Sequence, residues 1–442
     1  MVAATAEVFL SKEQKKAIGI LSMGTFLEYF DLMLYVHMAV ILNELFFPKT
    51  DPYTATILSA FAFCSTYLLR PIGGIAFGWI GDNYGRKITI IITTIMMALS
   101  CFVMANLPTY EQIGISATVA MIICRMVQGV SSMGEIMGAE LYVTEITKPP
   151  LSYIAVGYIS VFSLIGGIAA IGFGIICTKF LLNWRLAFWA GAGIAFVGIF
   201  ARTALRETPE FVNAKRRIQK AIEGSGDTNL IKHGKSLKNT NPVFNEKVDW
   251  KISASYFCII ASWPAMFYLV YVYCADLLKF DYNATSEEIL TNNFIVTAFN
   301  IIVIMVLVHL TKIIHPLKIL RIRGILFLIS IPCCTYLLSV ASSPTHIFLI
   351  QLLLVATGLA RTPASPIIYK AFPVIKRFTY ASVLYGISRV LVYVITSFGM
   401  VVLIKHFGYA GILIIMIPVG VSFYWSVKYF ESLESLKENI PA

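Results

Sequence analysis

Long apolar runs separated by short polar breaks organise this chain. The runs cover about 17–42, 55–80, 88–106, 113–138, 152–178 and 184–204, then about 252–277, 292–312, 321–341, 345–368, 379–404 and 409–430. Most are too long and continuous for strands, and a membrane barrel would show short segments of alternating polarity instead. A bilayer-spanning helix needs roughly 20 apolar residues. The pattern therefore predicts an all-α integral membrane protein, with twelve transmembrane helices in two six-helix halves. The expected divisions are a polar tail at 1–16, an N-terminal half at 17–204, a linker at 205–251, a C-terminal half at 252–430 and a tail at 431–442. The linker holds Lys215, Arg216, Arg217, Lys220, Lys232, Lys235 and Lys238 and a Gly-Ser-Gly step at 224–226. It reads as a short amphipathic helix followed by a flexible, solvated basic connection.

Composition strengthens the membrane reading. The 442 residues are 58% hydrophobic and 13% charged, whereas a soluble domain is about a quarter charged. The net charge of +11 does not call for nucleic acid, because basic residues collect in cytoplasmic loops. One set of loops holds Lys12, Lys15, Lys16, Arg86, Lys87, Lys148, the linker, Lys312, Lys318, Arg321, Arg323, Lys376, Arg377 and Lys428. The other has only Lys49, Lys179, Lys279 and Lys405, diluted by acids. The first set is expected to be cytoplasmic, with both termini inside. Met1 to Lys16 is polar and does not read as a cleavable signal. The eight cysteines form no CxxC pair and are expected to be small buried hydrophobes. His37 and His309 are expected to be packed polar residues. No HxxxD or HExxH occurs, which argues against a membrane-embedded enzyme. No metal or cofactor is called for.

In so apolar a chain, a charge inside a span is a functional candidate by default. Glu28 and Asp31 are spaced i, i+3 and share one face of the first helix. At 1.5 Å per residue from Ala17 they lie about 16 and 21 Å in. Neighbouring carboxylates in a low dielectric resist joint ionisation. Such a pair suits proton coupling, with Asp31 the stronger candidate; permanent pairing with an arginine is the alternative. Arg70 lies about 18 Å from the Asp82 end of the second helix, and Arg125 about 18 Å into the fourth. Each suits a substrate carboxylate or an internal acid, with internal pairing favoured for Arg125. Gln128 shares a face with Arg125, and Glu135 follows nearer the cytoplasm. Arg361 is placed near an interface, where it would snorkel; Arg389 lies within an apolar stretch. Tyr29, Phe30, Trp263 and Tyr268 are candidates for an aromatic cage around a quaternary ammonium. In the loop Gly78 to Lys87, Asp82 stands beside Arg86 and Lys87, with Gly78 and Gly85 giving close turns. That spacing suits a latch on the inner face.

Gly78, Asp82, Gly85, Arg86 and Lys87 match a signature of the major facilitator superfamily, G-x-x-x-D-R-x-G-R-K, with Asn83 in place of its first arginine. Arg125–Gly129 resembles that superfamily's fourth-helix motif. More narrowly, the chain resembles the metabolite:H+ symporter family. The residues that carry this are Leu27–Asp31, Leu68–Gly74, Met133–Glu145, Asn183–Trp189 and the RETPEF step Arg206–Phe211. The likeness is strong over about 20–215 and weaker beyond 250, where AFPVIKRFTYASVLYG resembles the segment before helix eleven. The second-half copy of the loop signature is absent near 305–323, and Lys148 stands where the family has an arginine pair. The resemblance implies inward proton symport of a small polar solute by rocking of two halves, in a bacterial inner membrane. Proline- or betaine-type osmolytes compete with mono- and dicarboxylates such as α-ketoglutarate as substrate. A non-transporting sensor of the same fold is a further alternative. The implied partners are the bilayer, the solute and the proton as coupling ion, with a monomer expected and no cofactor or nucleic acid.

Overall fold

A computed structural model describes residues 10–48, 65–180, 183–223 and 248–438. The second apolar run therefore enters the described residues only from Ser65. The N-terminal half comprises α1 (Lys12–Phe46), α2 (Arg70–Asn83), α3 (Arg86–Asn106), α4 (Ile115–Ile146), α5 (Leu151–Phe180) and α6 (Arg185–Thr203). The linker opens with α7 (Pro209–Glu223). In the C-terminal half, α8 (Trp250–Phe267) continues through a π turn (Tyr268–Tyr273) into α9 (Cys274–Phe280). Then come α10 (Ser286–Leu310), α11 (Pro316–Ser339), α12 (Pro344–Thr357) and α13 (Ser365–Lys370). The chain ends in α14 (Val374–Val394), a second π turn (Ile395–Gly399), α15 (Met400–Phe407) and α16 (Gly411–Glu438). Helices long and apolar enough to span a bilayer recur through both halves. Large apolar side chains face outward, such as Ile72, Phe200 and Trp425, as lipid-facing positions require.

Local chemistry sets the boundaries. Proline opens α11 and α12, where its missing amide proton has no role. Gly85 takes φ 113° between α2 and α3, a conformation that suits glycine alone. The run expected to be continuous at 345–368 is broken. The helix stops at Thr357, and 358–364 is not an α-helix before α13 begins. Pro363 and Pro366 supply no amide donors, so the helical ladder cannot be carried through them.

The halves meet along two seams, α2 against α14 and α5 against α10. The first is unusually close. A Cβ on Gly78 would lie 2.6 Å from Thr379 Cα, and one on Gly74 would lie 2.8 Å from the Ser382 carbonyl oxygen. Glycines one turn apart thus let the two backbones touch. The largest apolar core fills the C-terminal half and takes in Met133, Met137 and Leu141 from α4.

Candidate functional site

The N-terminal half holds a buried charge network. Glu28 and Asp31 lie on one face of α1, 1% and 0% exposed. Neither carboxylate oxygen of Glu28 accepts a hydrogen bond, and the Asp31 carboxylate has only the weak thiol donor of Cys101 beside it. Glu28 is surrounded by the charges of Glu135, Arg70, Arg202 and Asp31. Glu135 of α4 forms an ion pair with Arg202 of α6. Gly24 makes room for that arginine, since a Cβ there would collide with its guanidinium. Asp31 presses on α6 at Gly191, where a Cβ would lie 2.1 Å from its Oδ1. Arg125 Nη1 donates to Gln128 Oε1 at 3.0 Å, and its guanidinium lies 4.1 Å from the Tyr35 ring centre. Gln128 Nε2 in turn donates to Cys101 Sγ at 3.4 Å, and Cys101 stands beside Asp31. Arg125 is therefore held by an amide and a ring, not by a carboxylate.

Between the halves lies a cavity. Arg70 of α2 and Arg389 of α14 supply its positive charge, and Tyr29, Tyr67, Trp263 and Tyr393 are among its aromatic walls. Both arginines are held on rings. Arg70 lies 4.5 Å from the Tyr67 centre and Arg389 lies 4.3 Å from that of Tyr385, whose hydroxyl accepts from Nη2 at 3.0 Å. Arg70 Nε and Arg389 Nη1 are buried without a hydrogen-bond partner. Of the four cage candidates, Tyr29 and Trp263 line the cavity. Phe30 and Tyr268 pack in apolar cores instead.

At the end of the bundle where α1 begins and α16 ends, the halves are latched. Asp82 accepts from the backbone amides of Phe378 at 3.1 Å and Thr379 at 2.8 Å, and from Arg86 at 3.2 Å. Arg86 Nη2 reaches Glu145 at 2.9 Å and the Val374 carbonyl at 2.9 Å. Arg377 crosses from α14 to Glu145 at 3.2 Å and Glu210 at 2.9 Å. One layer deeper, Glu140 takes Arg361 at 2.6 Å and the Tyr369 hydroxyl at 2.6 Å. The RETPEF step belongs to this layer. Glu207 accepts from the amides of Arg86 and Lys87, the Thr208 hydroxyl donates to Glu145 at 2.6 Å, and Phe211 lies under Arg86 at 5.0 Å. The start of the linker is therefore structural, not a solvated loop.

The residues singled out in the sequence fall into three places. Glu28, Asp31, Arg70 and Glu135 converge; Arg125 and Gln128 pair beside them; Gly78, Asp82, Gly85 and Arg86 build the latch and its turn. Lys87 lies outside the latch, bonded to the Thr203 carbonyl at 2.8 Å. Three placements need correction. Arg361 does not snorkel, because Glu140 and Tyr369 hold it between the halves. Arg323 is not a loop cation but is buried in α11. His309 is exposed near the end of α10, not packed. The side chain of His37 and Cys64 lie outside the described residues; Cys333 is exposed. Sequence reasoning missed Arg202, because a basic residue in the last turn of a span looks like an ordinary cytoplasmic charge. The only local hint was Gly24, one turn before Glu28.

A family model described as Major Facilitator Superfamily matches residues 21–360. The proline/betaine transporter of Escherichia coli K12 is 35% identical over 204 residues, 45% of this chain and 41% of that protein. The glycine betaine/proline/ectoine/pipecolic acid transporter of Dickeya dadantii is 34% identical over 220 residues, 48% of this chain and 43% of that protein. The matches thus span less than half the length of these curated relatives. The fold is similar to that of a proton:xylose symporter, with TM-score 0.73 and 15% identity over 96% of each chain. It is also similar to that of a human organic anion transporter, with TM-score 0.68 and 13% identity over 94% of this chain and all of the other. Two helical halves, the loop signature in its latch and a family match over most of its length make this chain a multi-pass membrane protein of the major facilitator superfamily.

Proposed function

We propose that the chain is a proton-coupled secondary active transporter. It imports a small zwitterionic solute of the proline or betaine type across a bacterial inner membrane. The observation that carries this reading is the central cavity. Two arginines, each with an unpaired buried nitrogen, share it with an aromatic wall, and the buried Glu28 carboxylate, which has no hydrogen bond, lies beside Arg70 with Asp31 one turn further along α1. Arg70 and Arg389 suit a carboxylate, which takes bidentate bonds from a planar guanidinium. Tyr29, Trp263 and their aromatic neighbours suit a quaternary or secondary ammonium. Asp31 and Glu28 carry the proton. A carboxylate with no strong donor inside the membrane is costly to ionise, so its protonation follows which side it faces. The curated relatives named for proline and betaine support the substrate class.

In this reading the latched end is cytoplasmic, with both termini inside, and the structure has that side closed. Release of solute inward requires Asp82, Glu145 and Glu140 to let go of α14 and Arg361 together. Substrate and proton bias that equilibrium only through their different affinity for the two states. The test is uptake of labelled proline, glycine betaine and α-ketoglutarate by proteoliposomes, with and without an imposed proton gradient. Accumulation of proline or glycine betaine that collapses with a protonophore is expected. Uptake of α-ketoglutarate alone would move the substrate to the dicarboxylates, and uptake indifferent to the gradient would remove the proton.

A further inference from the structure

A second, smaller cavity lies against the central one and shares Trp263, Phe267 and Tyr271 with it. Arg323 of α11 and the backbone of 358–360, where α12 breaks, form part of its wall. Arg323 is 6% exposed. Its Nη2 donates to the Val355 carbonyl at 3.3 Å, while Nε and Nη1 are buried with no hydrogen-bond partner.

Other buried arginines have an evident partner. Arg86, Arg202 and Arg377 reach carboxylates. Arg70, Arg125 and Arg389 lie on aromatic rings. Among the described residues, neither a carboxylate nor a ring is paired with Arg323. A guanidinium buried with no counter-charge is costly, and such charges in a membrane interior mark sites where an anion passes or binds. The cavity wall also offers a carboxamide and a hydroxyl from Asn300 and Tyr271.

We infer that this cavity is an anion-binding subsite centred on Arg323, which takes a carboxylate or a small inorganic anion. Arg323 lies about 10 Å along α11 from Pro316, at the latched end, whereas Arg389 lies about 22 Å along α14 from Val374. The subsite is thus nearer the latched end than the central cavity is. For a carboxylate-bearing solute it is a station on the exit path. This last step rests on the transport reading above; the existence of the site does not.

The test uses the full chain purified in detergent. Its melting midpoint is followed as sodium acetate or sodium chloride is titrated at constant ionic strength against a bulky sulfonate salt. Binding to the folded state raises the midpoint with ligand concentration. The wild type is expected to gain several degrees, Arg323→Gln to gain none, and Arg323→Lys to keep part of the shift. A response to acetate alone assigns the site to the solute carboxylate; a response to chloride as well assigns it to a small inorganic anion. No response to either overturns the site. Arg323→Met in the absence of both anions separates a binding role from a structural one. Its midpoint is expected to be unchanged or raised, and a fall of more than about 5 °C, the scale of a lost structural contact, overturns the inference. In proteoliposomes Arg323→Gln is expected to lower glycine betaine turnover roughly tenfold, with the external KM within about threefold. Unchanged turnover overturns the exit station. If the wild type takes up neither proline nor glycine betaine, the transport reading fails, and the acetate and chloride titrations still decide the site.

Discussion

The two halves share one fold and divide their charges unequally. Among the described residues, the fully buried acids Glu28, Asp31, Asp82, Glu135, Glu140 and Glu145 all belong to the N-terminal half. The C-terminal half buries Arg323, Arg377 and Arg389 with no acid of its own at that depth. Arg389 is held by tyrosine, and Arg377 and the half-buried Arg361 reach across to Glu145 and Glu140 of the other half, while Arg323 has neither kind of partner. In the proposed reading, the proton-carrying chemistry is therefore confined to one half. The counter-charges of the other are lent to it only while the latched end is closed. A movement that separates the halves would strip Arg361 and Arg377 of their partners, a cost that in the proposed cycle solute and proton together offset.

The hardest test of this division is Asp31→Asn. If the N-terminal half alone carries the proton, gradient-driven accumulation of glycine betaine falls by roughly 100-fold while solute exchange is partly retained, because only the protonation cycle is lost. Accumulation at the wild-type level would place the coupling group elsewhere and end the comparison. Next in size is Glu145→Gln. It leaves Arg86 and Arg377 buried around a neutral amide, and breaking a buried pair costs about 3–5 kcal/mol. The latched state should give way, so a cysteine at Thr379, in a cysteine-free background, becomes reactive to a maleimide from the latched side. If it stays as protected as in the wild type, Glu145 does not hold the halves together. Gly78→Val acts on the same seam through shape. A Cβ there meets Thr379 Cα at 2.6 Å, backbone that cannot swing aside. The closed state is disfavoured, and turnover should drop about tenfold as the cycle is held on one side. Uptake within twofold of wild type would show that α2 and α14 tolerate separation without loss of the cycle.

The fold was legible because it depends on long apolar runs, and those survive any detail of packing. Apolar periodicity placed most helices within a few residues. It failed at 345–368, where hydrophobicity continued across a break that Pro363 and Pro366 impose on the backbone. The site was half legible. Glu28, Asp31 and Arg70 stand out as charges in apolar surroundings. Their partners do not, because Arg202 lies 67 residues from Glu135 and Arg377 lies 232 from Glu145; only the packed halves bring them together. Arg323 shows the converse. Beside Lys318 and Arg321 it reads as one more loop cation, and only the start of α11 at Pro316 reveals that it is two turns inside the helix.

The smallest expected effect concerns Asn83, the departure from the superfamily's loop signature. Asn83 is exposed, and its side-chain amide donates to the Trp79 carbonyl one turn back at 2.8 Å. It faces away from the latch, which is completed by Asp82 and Arg86 without it. Asn83→Arg should therefore restore the signature yet change glycine betaine turnover by less than about twofold, because an exposed charge in water contributes at most about 1 kcal/mol. A gain of tenfold would mean that the loop engages the opposite half at some point in the cycle that the latched state does not show. The N-terminal half would then owe part of its grip to a contact made only as it opens, and the division of charge between the halves would describe one end of the cycle alone.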